Sequence, residues 1–196
     1  MTDDRPSPGA VLLRIGILCC AAAGIVALAL YASGRAFAQT DPARALRFFR
    51  DGLVYAQEHR LPMFEASMAE EAGLQALHGD LGQALALFDA ALGTFHSAGS
   101  AADLGGTLAV VAVCFDRLDQ PDVAATLYGA SNPALSQYVV DLPAVVDHQR
   151  AALGDAAFDQ CATTGADMDL AEAVGYARHH IELARRQDAN PDYGST

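Results

Sequence analysis

Lysine is missing from this chain: all twelve basic side chains are arginine. Without lysine the phosphate-cradling motif GxxxxGK[ST] cannot be written, which excludes the familiar nucleotide-binding loop. No physical requirement bars lysine from every surface position, so its absence reads as the codon bias of a GC-rich genome. Cysteine is also sparse. Cys19, Cys20, Cys114 and Cys161 form no C-x-x-C pair, and Cys19-Cys20 sits inside an apolar run. They read as small buried hydrophobes in a reducing compartment, without a disulfide framework or a thiolate metal site. Charge is scarce and one-sided, with 18% charged residues, a net charge of −12 and a pI near 4.6. An acidic surface with no arginine cluster repels a phosphate backbone, so direct nucleic-acid binding is not expected. Hydrophobic residues reach 52%, too many for intrinsic disorder over most of the length. The chain is long enough for one domain with a sizeable core or for a short repeat array.

What is there is helical. From Leu61 to Ala98 the sequence reads as a helix, a Gly79-Asp80 corner and a second helix. On that second helix Leu81, Ala84, Leu85, Phe88, Ala91, Leu92 and Phe95 form the stripe of a helix with one buried face. Gly79 supplies a helix end that tolerates a positive φ, and Asp80 is expected to cap the next helix through its carboxylate. Thr40-Asp41-Pro42 and Asp119-Gln120-Pro121 are further helix starts with Pro in the first turn. Ser100 is a candidate cap for a helix running to about Leu118. Asp169 with Glu172 spells a capping box before the last long helix.

A repeat emerges when these segments are aligned. Ser33, Ala72 and Ala112 lie on the first helix of each of three units, and Ala45, Ala84 and Ala124 follow near the start of each second helix. Phe49, Phe88 and Tyr128 come next, then Gly52, Ala91 and Ser131, with units spaced 39 and then 40 residues apart. Small residues let two helices approach, and the aromatic fills the gap against the next hairpin. The pattern resembles the tetratricopeptide repeat, though with a longer period and without that repeat's hallmark Trp, which this chain lacks. The expectation is an all-α tetratricopeptide-like solenoid of antiparallel hairpins. Residues 1–10 form a leader, 11–131 three hairpins, 132–187 a C-terminal helical cap and 188–196 a flexible tail.

The stretch from Val11 to Gln39 admits three readings. No residue from Ile15 to Gly34 is charged, long enough to cross a bilayer. Ala36-Phe37-Ala38 imitates a signal-peptidase site, but the leading residues lack a positive excess. Its many alanines suit a buried repeat helix equally, and that is the reading adopted. A membrane span through 15–34 is the alternative, with Arg35, Arg44, Arg47 and Arg50 then holding the C-terminal side in the cytoplasm. An exposed apolar first helix would also be adhesive, so self-association is expected.

The wording of the sequence carries a family resemblance. TDPARAL from Thr40, HGDL from His78 and FDRLDQPDVAATLYGAS from Phe115 belong to it. The closing phrase is the most specific part, combining Leu153-Gly154, Phe158, Gly165 and Leu170-x-Glu172-Ala173-Val174. Roughly from Leu28 to Arg186 the chain resembles the C-terminal helical region of large bacterial regulators. These join an adenylate-cyclase-like or LuxR-type module to a signal-transducing ATPase. The resemblance implies a non-catalytic, cytoplasmic superhelix acting as sensor or partner platform, with a protein or peptide in its concave groove. Catalysis and DNA binding lie in other domains of that family. No phosphate loop, cyclase domain or helix-turn-helix accompanies the helices here, so the chain reads as a stand-alone piece of a longer regulator: a degraded gene, a split gene or a mis-called start. The runner-up reading is a membrane-anchored helical scaffold.

No catalytic, cofactor-binding or metal-ligating set is expected. His179 and His180 with Glu182 invite a metal, but adjacent helix positions point about 100° apart and do not converge. Glu70 and Glu71 are likewise neighbours, read as the polar side of their helix without acid–base work. His78, His96 and His148 read as helix-end or polar-face residues. Ser97 and Ser100 have no base in evident reach. Gly105-Gly106 reads as a close-packing site.

Overall fold

The computed structural model describes the backbone of residues 8–77, 79–131 and 142–189, with side chains over 21–77, 79–131 and 142–187. Among these residues the chain is all helical. In order run α1 (Pro8–Phe37), α2 (Pro42–Glu58), α3 (Pro62–Ala76), α4 (Leu81–Ala98), α5 (Ala101–Arg117) and α6 (Pro121–Ala130). Then follow α7 (Leu142–Leu153), α8 (Asp155–Ala166) and α9 (Leu170–Ala189). Of the leader expected over 1–10, residues 8–10 belong to α1, and of the tail expected over 188–196, residues 188–189 belong to α9; residues 1–7, the lapse of the repeat at Asn132-Pro133 and residues 190–196 lie outside the described residues.

The helix boundaries have local causes. Asp41 Oδ1 accepts the Arg44 N–H at 2.9 Å, and Asp80 Oδ1 accepts the Gln83 N–H at 2.8 Å, so both acidic caps form. Asp169 and Glu172 exchange backbone N–H bonds at 2.9 Å each, completing the capping box. Ser100 stands at the cap of α5, but its hydroxyl bonds the Asp103 carboxylate instead of a backbone N–H. Gly79 ends its turn without a positive φ. The left-handed turns are at Gly99 (φ 70°) and Gly154 (φ 81°), and at two residues that carry a Cβ, Arg60 (54°) and Asp119 (57°).

Consecutive helices from α1 to α6 pack on one another, α8 packs on α6, and α7 touches α5, α6 and α8. The main core joins Leu85, Phe88, Leu92 and Phe95 of α4 to Leu104, Leu108, Val111 and Phe115 of α5, and to Leu127 of α6. A smaller cluster joins Ala45 and Phe49 of α2 to Met68 and Ala72 of α3. Ala45, Ala84 and Ala124 are all fully buried, as are Phe49 and Phe88. These two aromatics have a partner the alignment above missed. A Cβ on Gly34 would lie 2.4 Å from the Phe49 ring, and one on Gly73 would lie 2.7 Å from the Phe88 ring. Gly34 and Gly73 repeat at the same spacing as Phe49 and Phe88, so each aromatic sits flat on a glycine of the preceding helix. At the third unit Val113 replaces the glycine, and Tyr128 turns outward to meet Phe158 at 5.9 Å between ring centroids.

Helix α9 reaches back along the chain. It folds back onto α4, α5 and α6, burying Ala173, Val174, Ala177, Ile181 and Ala184. Arg178 Nε donates to Asp89 Oδ1 of α4 at 2.7 Å.

In α1, Ala23, Ala27 and Gly34 are buried, while Tyr31 and Arg35 reach Glu71 of α3. Among the described residues no helix is long and apolar enough to cross a membrane. The side chains of residues 8–20 lie outside the described residues, so the span through 15–34 falls partly outside them.

Candidate interaction face

Glu70 and Glu71 of α3 connect α1 to α5. Neighbours on a helix diverge by about 100°. Here that divergence lets one carboxylate reach back to α1 and the other reach forward to α5. Glu71, 6% exposed, accepts the Arg35 guanidinium and the Tyr31 hydroxyl, the latter at 3.2 Å. Glu70 Oε1 lies 2.7 Å from the hydroxyl of Thr107, which is itself buried and 2.9 Å from the Asp103 carbonyl oxygen. Asp103 in turn receives the Ser100 hydroxyl. The two glutamates are therefore not a solvated polar side. They are the middle of a chain of hydrogen bonds across α1, α3 and α5.

The two carboxyls differ in partners. Glu71 faces a cation that offsets its desolvation. Glu70 has only a neutral hydroxyl, and burial pushes its pKa up from 4.5 to about 7, with Glu71 and Asp103 adding to the rise and Thr107 opposing it. Ionised, Glu70 accepts the Thr107 proton. Protonated, it can donate to Thr107 Oγ1, whose own proton then serves the Asp103 carbonyl. A carboxyl titrating near neutrality suits general acid–base chemistry; Glu70 lines neither of two clefts found among the described residues.

One cleft, of about 410 Å³, lies between α4 and α9 and is lined by Asp89, Arg178, His179, Glu182 and Arg185. Arg178 there is bound to Asp89, and Glu182 to Arg186. A second, of about 360 Å³, lies beside the α6–α8 contact and includes Arg150 and Phe158. Arg150 stands 4.1 Å over the Phe158 ring and bonds Asp155 and Asp159. In both, much of the charge is already engaged.

The remaining candidates fall in separate places. His179 and His180 stand edge to face with ring centroids 5.3 Å apart, and no ligand converges on them. His180 packs on Tyr176 and Phe115; burial, then His179, lowers its pKa. No group of three or more His, Cys, Asp or Glu among the described residues could hold a metal ion. His148 is exposed and bonds Asp116 of α5 at 3.0 Å, which raises its pKa. His96 is exposed in the last turn of α4, and His78 lies outside the described residues. Ser97 bonds back to the Gly93 carbonyl of its own helix. A Cβ on Gly106 would meet nothing within 4 Å, so close packing does not explain that glycine. Cys114 is buried with its thiol pushed up to about 12, a structural hydrophobe as expected; Cys161 is half-buried, and the side chains of Cys19 and Cys20 lie outside the described residues.

The hydrogen-bonded track was not legible beforehand because helical periodicity reports which faces are apolar, not which polar residues are drawn inward by partners on distant helices. One signal was present: two glutamates inside a stretch otherwise rich in Ala, Met and Leu. Compared with family models, curated proteins and solved structures, the chain matches none.

Proposed function

We propose that this chain is a non-catalytic helical-repeat interaction or sensor module working in the cytoplasm. In this reading α1–α6 form three tetratricopeptide-like hairpins and α7–α9 the cap. The relationship is that of the C-terminal region of LuxR-type or adenylate-cyclase-like ATPase regulators. Its partner is a protein or peptide lying across the first helices of the hairpins.

The observation that carries the reading is the Glu70–Glu71 track, which holds α1, α3 and α5 in fixed relation along one side. The same side of α3 presents Met63, Ser67, Glu70 and Leu74 at helical spacing, with Met63 exposed. Glu70 is the one carboxylate of these four and stands between Ser67 and Leu74, which suits a peptide carrying apolar and cationic side chains. Six positions of the closing phrase of the resemblance have a physical role. Gly154 turns with positive φ, and Phe158 is buried. Gly165 meets backbone, Glu172 completes a cap, and Ala173 and Val174 join the core.

The test is fluorescence anisotropy with defined cationic, neutral and acidic peptides, against wild type and the Glu70→Gln/Asp103→Asn variant. The expected result is selective binding of cationic peptides, weakened by salt and by the double substitution. Binding indifferent to peptide charge and to both substitutions would remove the reading.

A further inference from the structure

The buried stripe of α9 is built largely of alanine, at Ala173, Ala177 and Ala184, so the helix settles close to the array. Beside that stripe, the cleft of about 410 Å³ between α4 and α9 carries a helical glycine on each side. Gly175 of α9 lines it, and a Cβ there would meet nothing within 4 Å. Gly93 of α4 lies beneath Arg178, where a Cβ would stand 3.8 Å from Nη1, an ordinary contact. Glycine inside a helix is less stable than alanine, and packing requires it at neither position. What the bare backbone at Gly175 provides is room in the cleft.

The charged groups along this cleft are unequally engaged. Asp89 Oδ1 accepts Arg178 Nε–H at 2.7 Å, and Glu182 accepts the guanidinium of Arg186. Each carboxylate therefore has its cation. Arg178 commits only Nε to that bond, which leaves the two Nη groups of its fork. Arg185 follows two helical turns later on the same face, and among the described residues it makes no hydrogen bond or ion pair. With Arg186 counted, three guanidinium groups stand against two carboxylates. In a chain of net charge −12 this is a local cationic surplus.

We infer that the α4–α9 cleft binds a small oxyanion, a carboxylate or a phosphate, held on the Nη edge of Arg178 and closed over by Arg185. Asp89 fixes the plane of the Arg178 guanidinium before any ligand arrives, so its two Nη donors are aimed together. That fork matches two oxygens of a carboxylate or of a phosphate, and a side chain already held has less rotamer freedom to lose. A cationic ligand would have to displace Arg178 or Arg186 from its carboxylate. The volume falls in the lower part of the range of small-molecule sites, about 300–1,000 Å³.

This inference is independent of the peptide-binding side, which lies on α1, α3 and α5. The test is a titration of the full, 15N-labelled chain, followed through its arginine Nε–H resonances at constant ionic strength in chloride. The probes are acetate, inorganic phosphate and methylammonium. Acetate or phosphate is expected to shift Arg178 and Arg185 saturably, and methylammonium to leave both in place. Arg185→Gln, an exposed position, should weaken the binding read at Arg178 at least ~tenfold. Gly175→Leu should abolish it by filling the cleft, and Arg185→Gln decides alone if that variant fails to fold. Saturation by phosphate alone would assign a phosphate ligand, and by acetate alone a carboxylate; either upholds the inference. Shifts that saturate with neither anion would overturn it. So would binding that survives both substitutions, or that methylammonium reproduces.

Discussion

Gly129 of α6 and Gly165 of α8 are two halves of one crossing: each opposes backbone of the other's helix. A Cβ on Gly129 would lie 1.9 Å from the Ala162 carbonyl oxygen, and one on Gly165 would lie 1.9 Å from that of Thr126. Backbone cannot swing aside as a side chain can. Gly165→Ala is therefore expected to destabilise by about 2–4 kcal/mol in chemical denaturation, and Gly129→Ala similarly. Gly106→Ala is the control: it has open space within a helix and should stabilise by up to ~1 kcal/mol. Equal effects at all three positions would mean that the crossing is looser than drawn.

Glu70 gives the stability a pH slope of unusual sign for a carboxylate. Its folded pKa, about 7, is above the unfolded value of 4.5. The folded state then binds the proton more tightly, so stability is greatest below pH 4.5 and falls as pH rises towards 7, with little further change above. Glu70→Gln should flatten that slope, by on the order of 2 kcal/mol between pH 4.5 and 8. Urea titrations of both proteins at the two ends of that range decide it. Parallel pH profiles would show Glu70 to be solvated in the native state.

His148 slopes the same way. Its bond to Asp116 raises the folded pKa, so the tie from α7 to α5 is present below the unfolded value near 6.5 and is lost as pH rises through the folded one. The Cε1 proton shift of His148, followed by NMR against pH, should titrate above 6.5 and fall back in Asp116→Asn.

Arg60 and Asp119 end α2 and α5 in the left-handed region, at φ 54° and 57°. An L residue pays roughly 1–2 kcal/mol there, less for Asp than for Arg. Arg60→Gly should raise stability by about 1 kcal/mol, and Asp119→Gly by less, after the entropy of the unfolded glycine is counted. Calorimetric melting temperatures check both; a fall at either position would show that the lost side chain mattered more than the φ.

Thiol labelling separates the two described cysteines. Buried Cys114, its thiol pushed up to about 12, should react only at the rate of unfolding, whereas half-buried Cys161 should react from the native state. Peptide mapping by mass spectrometry after timed alkylation reads each site. Simultaneous modification would contradict the burial of α5.

Much of the helix layout was legible because its causes are local. Asp41, Asp80 and Asp169 cap within three residues, and Leu85, Phe88 and Phe95 repeat on one helical face. The failures share a different cause. Gly79 could tolerate a positive φ but does not use it, while Gly99, Arg60 and Asp119 do, because composition marks a turn without dictating its dihedrals. Glu70 and Glu71 were read as solvated because their partners, Thr107 and Arg35, lie 37 and 36 residues away. The pairing of Gly34 with Phe49, and of Gly73 with Phe88, needed a helix crossing before it could be noticed.

The return of α9 to α4 also sets an order of assembly. Arg178 and Asp89 are 89 residues apart, so a chain leaving the ribosome makes α4 long before the helix that shields its outer side. At about 5–20 residues per second, that flank of α4 stays bare for several seconds of synthesis. In an open array, losing the last helix costs only its neighbour. Here a premature stop before α9 would uncover α4, α5 and α6 together.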